Sequence, residues 1–177
     1  ACKQIPSTGI QSGLVSSPEP GMDAPFNFNT VEDLEAYFTY SPGRAYSISA
    51  HRGGHFEDYP ENCLEAFEHM LSEKPVMIEM DVQTSKDGVL HLMHDNSIDR
   101  STDGSGRGTD LLWEEMDNLK LINDDGSLTE YEIPLFSEIL SWAKGKTILF
   151  IDIKREVPYE QVLDEIAEAG AEAYCVV

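Results

Sequence analysis

Four short runs of this chain carry groups able to do acid–base or cation chemistry. His51 and Arg52 follow AYSISA, Glu79 and Asp81 sit within VMIEMDVQT, His94 and Asp95 close VLHLMHD, and Asp152 and Lys154 close TILFIDIK. Residues i and i+2 of a strand share a face, so Glu79 projects with Asp81 and Asp152 with Lys154. Two carboxylates on one side of a buried strand repel unless a cation or strong donors lie between them. On a solvated strand the same alternation would be only a wet face, and Asp152 with Lys154 only an ion pair. Three carboxylates with no cysteine or grouped histidine suit a hard, oxygen-seeking cation, Mg²⁺ or Ca²⁺. Two histidines at strand tips, each beside a charged neighbour, supply the base and the acid near neutrality that a phosphoester hydrolysis needs. His55, His69 and His91 lack that setting. His69 falls in a helical run, and His91 is expected on the face opposite the catalytic one.

These groups need elements to position them, and the pattern supplies an alternation. Thr30 with Asp33 predicts a capped helix over VEDLEAYFTY. AYSISA reads as a strand, and Asn62 as the cap of a helix over CLEAFEHMLSE. VMIEMDVQT and VLHLMHD form a hairpin around KDG. A Gly-rich loop, STDGSGRGTD, precedes a short predicted helix over LLWEEMDNL. PLFSEILSWAKG is a helix, TILFIDIK a strand, YEQVLDEIAEAG a helix and AYCVV a strand. Strand then helix, repeated, implies a parallel sheet with right-handed crossovers. HRGGHF is not G-x-G-x-x-G, and its His-Arg pair would obstruct a pyrophosphate turn, which argues against a Rossmann fold. In a barrel, chemistry gathers at the C-terminal strand ends, where all four charged runs lie. LINDDGSLTEYE is not a Ca²⁺ loop, because Leu121 stands where its first carboxylate belongs; DDG reads as a β-turn.

Charge and composition narrow the function further. With 33 acidic against 12 basic residues in 177, the net charge is −21. Such a chain repels a phosphate backbone, so nucleic acid is not the expected partner. No apolar run is long enough to span a bilayer. Three cysteines, Cys2, Cys63 and Cys175, have no zinc spacing and form no disulfide framework. Residues 1–28 read as a flexible tether. Its ACKQ opening resembles the end of a bacterial lipoprotein signal, which makes Cys2 a candidate lipid anchor and the protein exported, periplasmic or at the outer membrane; an incidental cysteine is the alternative.

Taken together and in order, HRG, PEN, IEMDVQTSKDGVLHLMHD, R-x-T-D-G-x-G and IDIK resemble the glycerophosphodiester phosphodiesterase family over residues 46–177. The resemblance implies a TIM (β/α)8 barrel over residues 29–177 with a small insertion after the second strand, about 96–133. It implies metal-dependent hydrolysis of a small-molecule glycerophosphodiester to glycerol 3-phosphate and an alcohol. Its metal ligands correspond to Glu79, Asp81 and Asp152, holding Mg²⁺ or Ca²⁺, and its catalytic histidines to His51 and His94. Arg52 and Lys154 match the positions that hold the phosphate, and Glu61 and Asn62 a pair bordering the site.

Two departures accompany the resemblance. The third carboxylate is usually Glu within EIK, and here the shorter Asp152 stands in its place. A full barrel takes about 200–250 residues, so this chain is expected to cover only about the first half, as a fragment or as one of two chains that complete each other. Two further readings share the fold: a phosphodiesterase acting on a lysophospholipid or sphingomyelin, which an apolar patch beside the site would favour, and a non-catalytic barrel scaffold. A metal-dependent sugar isomerase has less need for both Arg52 and Lys154.

Overall fold

The structure, a computed structural model, describes residues 26–43, 46–54 and 56–177. Cys2, residues 1–25 of the expected tether, and His55 lie outside the described residues.

Helix α1 (Val31–Phe38) opens on the expected capping box. Thr30 Oγ1 accepts from the Asp33 amide and Asp33 Oδ2 from the Thr30 amide, both at 3.2 Å. Strand β1 (Ser49–Ala50) is shorter than AYSISA predicts, and the chain turns at once through a single 3₁₀ turn, His51–Gly53. Helix α2 (Leu64–Glu73) is capped by Cys63, whose Sγ accepts from the Ala66 amide at 3.3 Å. Asn62, the expected cap, instead bonds the side chain and backbone of Asp81. A buried carboxylate is the stronger partner.

Strand β2 (Met77–Thr84) reverses into β3 (Leu90–Leu92), as KDG predicts. The helix expected over LLWEEMDNL is absent; two separate 3₁₀ turns, Gly108–Asp110 and Trp113–Glu115, flank its beginning. Tertiary bonds claim the backbone there. The Trp113 amide donates to Asp87 Oδ1 at 2.9 Å, and the Leu111 carbonyl accepts from the Lys86 amide at 2.8 Å. The DDG turn joins β4 (Lys120–Ile122) to β5 (Leu128–Glu132), a hairpin the hydrophobic pattern did not signal. Then come α3 (Phe136–Ala143), β6 (Leu149–Ile153), α4 (Tyr159–Glu168) and β7 (Cys175–Val176).

The main sheet runs β1–β2–β6–β7, all parallel, with β3 antiparallel on β2. Each parallel strand lies beside the one before it, and the order never reverses. A doubly wound sheet would reverse at its switch point; single winding is how a barrel grows.

The two faces of this sheet are both apolar at their base. Outward, Ile78, Met80, Val82, Leu149 and Ile151 share a core with Phe67 of α2, Ile139 and Leu140 of α3, and Val162 and Ile166 of α4. Each large side chain buried there contributes about 1.5–3 kcal/mol. Inward, Met77 and Ile148 pack with Leu34 of α1, flanked by Phe26, Phe28, Tyr37, Phe150 and Val176. Helix α1 therefore covers the N-terminal end of the inner face. The C-terminal end of that face is left to polar groups.

Candidate active site

Strand register brings the carboxylates together. Asp81 pairs with Asp152 across the parallel β2–β6 ladder, and Glu79 with Phe150 one layer below. Paired residues of neighbouring strands share a face, so the two aspartates stand side by side. Oxygens of Glu79, Asp81 and Asp152 all lie within 4.8 Å of one another. Asp81 is buried, Glu79 half-buried and Asp152 exposed.

A buried carboxylate must be paired, and Asp81 is. Its Oδ2 accepts from Asn62 Nδ2 at 2.7 Å and lies 3.4 Å from Arg52 Nε. Its Oδ1 meets Lys154 Nζ at 2.6 Å, and its amide donates to Asn62 Oδ1 at 3.0 Å. Lys154 Nζ also reaches Asp152 Oδ2 at 2.7 Å, so one ammonium bridges the two aspartates. Burial alone would lower the Lys154 pKa, but bonds to Asp152 and Asp81 outweigh it and hold the ammonium above its ordinary value. The donor set is all oxygen, three carboxylates converging from two strands, which fits a hard divalent cation.

Strain appears where the loop meets this cluster. Arg52 and Asn62 both adopt left-handed backbone, at φ 52° and 55°, and the Asn62 amide donates to the Arg52 carbonyl at 3.0 Å. Each such residue costs about 1–3 kcal/mol. The twist turns the Arg52 amide inward, where it donates to Glu79 Oε2 at 2.7 Å. The HRG and PEN segments are thereby tied to each other and to the carboxylates.

A polar cavity of about 200 Å³ opens over Arg52, lined by His51, Gly54, Tyr59, Glu61 and Asp124 as well. Asp124 comes from the β4–β5 turn, so the unanticipated hairpin supplies part of the wall. Tyr59 stacks on His69 on one side and on Tyr131 of β5 on the other, at 4.8 and 6.0 Å between centroids. His94 does not line this cavity. It lies on the loop after β3, partly exposed, with Nδ1 2.6 Å from Asp95 Oδ1.

Of the residues singled out in the sequence, Arg52, Glu61, Asn62, Glu79, Asp81, Asp152 and Lys154 form one bonded group. His51 opens onto the cavity beside them. His94 joins through Arg100, which bonds both Asp95 and Glu61. Arg100 lay within the quoted R-x-T-D-G-x-G run with no role assigned, and the fold alone reveals it. Tyr59 and Asp124 carried no sequence signal. His91 corrects an expectation: it pairs with Gln83, which puts it by register on the face of Glu79 and Asp81, not the opposite one. It is nevertheless sealed beneath Trp113 and takes no part.

The sequence profile described as the glycerophosphoryl diester phosphodiesterase family matches residues 51–174. A mouse protein named glycerophosphodiester phosphodiesterase 1 is 35% identical over 133 residues, which cover 73% of this chain and 40% of that one. A glycerophosphodiester phosphodiesterase of Bacillus altitudinis is 39% identical over 114 residues, 60% of this chain and 44% of its own. The crystal structure of a glycerophosphoryl diester phosphodiesterase from Parabacteroides distasonis superposes with TM-score 0.81 at 40% identity, over 85% of this chain and 52% of that one. The chain thus spans about half the length of the relatives it matches. Its singly wound parallel strands are an arc of a TIM barrel. By fold, motif order and profile, the chain belongs to the glycerophosphoryl diester phosphodiesterase family.

Proposed function

We propose that this chain carries the reacting groups of a metal-dependent phosphodiesterase that hydrolyses glycerophosphodiesters to glycerol 3-phosphate and an alcohol. The observation that carries the reading is the oxygen triad of Glu79, Asp81 and Asp152 set between Arg52 and Lys154, beside a polar cavity onto which His51 opens.

Glu79, Asp81 and Asp152 would hold the ion, Mg²⁺ or Ca²⁺; bound there, it supplies Lewis acidity and a template for the attacking oxygen. Asp152, one methylene shorter than the Glu usual in the family, stands directly across the ladder from Asp81, and its carboxylate still comes within 4.8 Å of those of Glu79 and Asp81. Arg52 and Lys154 supply local positive charge that draws a phosphodiester to a protein of net charge −21. Arg52 offers a planar fork and Lys154 a point charge, two complementary ways to hold phosphate oxygens. His51 and His94 divide the proton transfers: one takes the proton of the nucleophile and the other gives one to the leaving alkoxide.

The polar lining of the cavity supports a small polar alcohol over a lipid, since an acyl chain would need an apolar wall. Export, with a lipid anchor at Cys2, belongs to the same proposal and rests on the small residue before Cys2 and the Ser-, Pro- and Gly-rich run behind it. Globomycin-sensitive labelling by palmitate in a bacterial host, lost in Cys2→Ser, is its test.

The function itself is tested by release of glycerol 3-phosphate from glycerophosphocholine. Activity should vanish in excess EDTA and return with Mg²⁺ or Ca²⁺, and Glu79→Ala should lose both turnover and metal binding by calorimetry. Undiminished activity in EDTA would overturn the metal assignment.

A further inference from the structure

We propose that Arg100 is a positioning residue that locks His94 and Arg52 into one unit. The inference rests on the reading of His94 as an acid–base group.

Four charge-assisted bonds form an unbroken chain across two loops. His94 Nδ1 meets Asp95 Oδ1 at 2.6 Å, and Asp95 Oδ2 accepts from Arg100 Nε at 2.6 Å. Arg100 Nη2 donates to Glu61 Oε1 at 2.5 Å, and Glu61 Oε2 accepts from Arg52 Nη1 at 2.9 Å. Each carboxylate spends one oxygen on each neighbour. Arg100 gives two separate nitrogens of one rigid, planar guanidinium to the two carboxylates, a fixed geometry that a compact ammonium on a flexible stem holds less firmly.

The protonation states follow. The bond from Arg100 chiefly, helped by His94, holds the Asp95 carboxyl down at about 2. Burial would raise Glu61, but Arg100 and Arg52 outweigh it and keep it below the ordinary range. Both are therefore anions, and an anionic carboxylate has no proton to donate. The proton of the His94–Asp95 bond thus sits on Nδ1, which leaves Nε2 for the reaction. Asp95 can enforce that tautomer only while its own orientation is fixed, and Arg100 is what fixes it. Arg100 bonds Asp95 and Glu61 rather than the carboxylate triad, so it acts through its neighbours.

Nitrogen-15 NMR of the 177-residue chain near neutral pH reads the tautomer directly. Wild type should show a protonated, slowly exchanging His94 Nδ1, assigned by its loss in His94→Gln. Arg100→Leu and Arg100→Lys should both lose slow exchange and show mixed tautomers, with kcat down roughly tenfold or more for general acid–base disruption. Arg100→Lys keeps the charge and guards against a variant that fails to fold. Adding Arg100→Lys to Asp95→Asn should cost little beyond Asp95→Asn alone, because both break one chain. An unchanged Nδ1 signal in both Arg100 variants overturns the proposal. A wild type that shows the signal but releases no glycerol 3-phosphate counts against the phosphodiesterase reading alone and leaves the lock supported.

Discussion

His51 and His94 reach the site by different means, and their substitutions should differ in character. His51 stands at the strand tip beside the cavity, on the same turn as Arg52. His94 depends on a borrowed framework of Asp95, Arg100 and Glu61. His51→Ala and His94→Ala should each lower kcat by about 10²-fold or more, the scale of a lost general acid or base. His69, stacked on Tyr59 outside the bonded group, serves as the comparison, and His69→Ala should stay within a few-fold of wild type. A His94→Ala enzyme with wild-type kcat would remove it from the chemistry. The candidate metal ligands show the same dependence on partners: the buried Asp81 carboxylate is surrounded by Asn62, Lys154 and Arg52.

At the scale of elements, two junctions set the site's rigidity. Gly53 lies between the first strand and α2, at φ 89°, and a Cβ there would stand 2.3 Å from Phe67 Cδ1. Phe67 is fully buried and has no room to withdraw. Gly53→Ala should therefore cost about 3 kcal/mol or more from left-handed strain and overpacking together, read as a drop in the urea midpoint. The second junction is the seam between β3 and the segment that follows. His91 is fully buried there, with Nδ1 on the Val89 carbonyl and the Trp113 ring 5.4 Å away. Burial pushes its pKa down to about 4. The unfolded imidazole titrates near 6.5, so between those values the unfolded chain binds the extra proton. This contribution to stability is whole above about pH 6.5 and is lost as pH falls toward 4, by up to about 3 kcal/mol. Urea midpoints measured from neutral to mildly acidic pH should fall more steeply in wild type than in His91→Gln. Equal slopes would show that His91 titrates normally in the fold.

At the scale of the whole molecule, the sheet's margins carry apolar surface. Ile48, next to β1, is 60% exposed, and Tyr46 stands almost free. At the other margin, Leu34 and Phe38 of α1 with Cys175 and Val176 of β7 line an open apolar groove. Large exposed apolar patches drive association, while a net charge of −21 opposes it. The 177 residues expressed alone should therefore self-associate, and more so as salt screens the charge. Sedimentation velocity at low and high ionic strength checks this. A monomer under both conditions would mean that the margins are protected.

Which charged groups gather at one end of the sheet was legible in the sequence, because strand tips, i and i+2 spacing and motif order are local properties. The alternation of elements was equally legible, since burial on one helix face or one strand face leaves its period in the residues. Other features depended on partners distant in the chain. The choice of Cys63 over Asn62 as helix cap was decided by Asp81, nineteen residues on. The loss of the expected helix over LLWEEMDNL was decided by bonds from Trp113 and Leu111 back to Asp87 and Lys86. Arg100 gained a role only when the loop after β3 folded beside PEN, 39 residues away in sequence from its Glu61 partner. Register, too, is tertiary: nothing in IEMD or IDIK says that Asp81 will face Asp152, and the parallel ladder alone aligned them. Local periodicity fixed what each element is, whereas the competition of buried polar groups for partners decided how the elements meet.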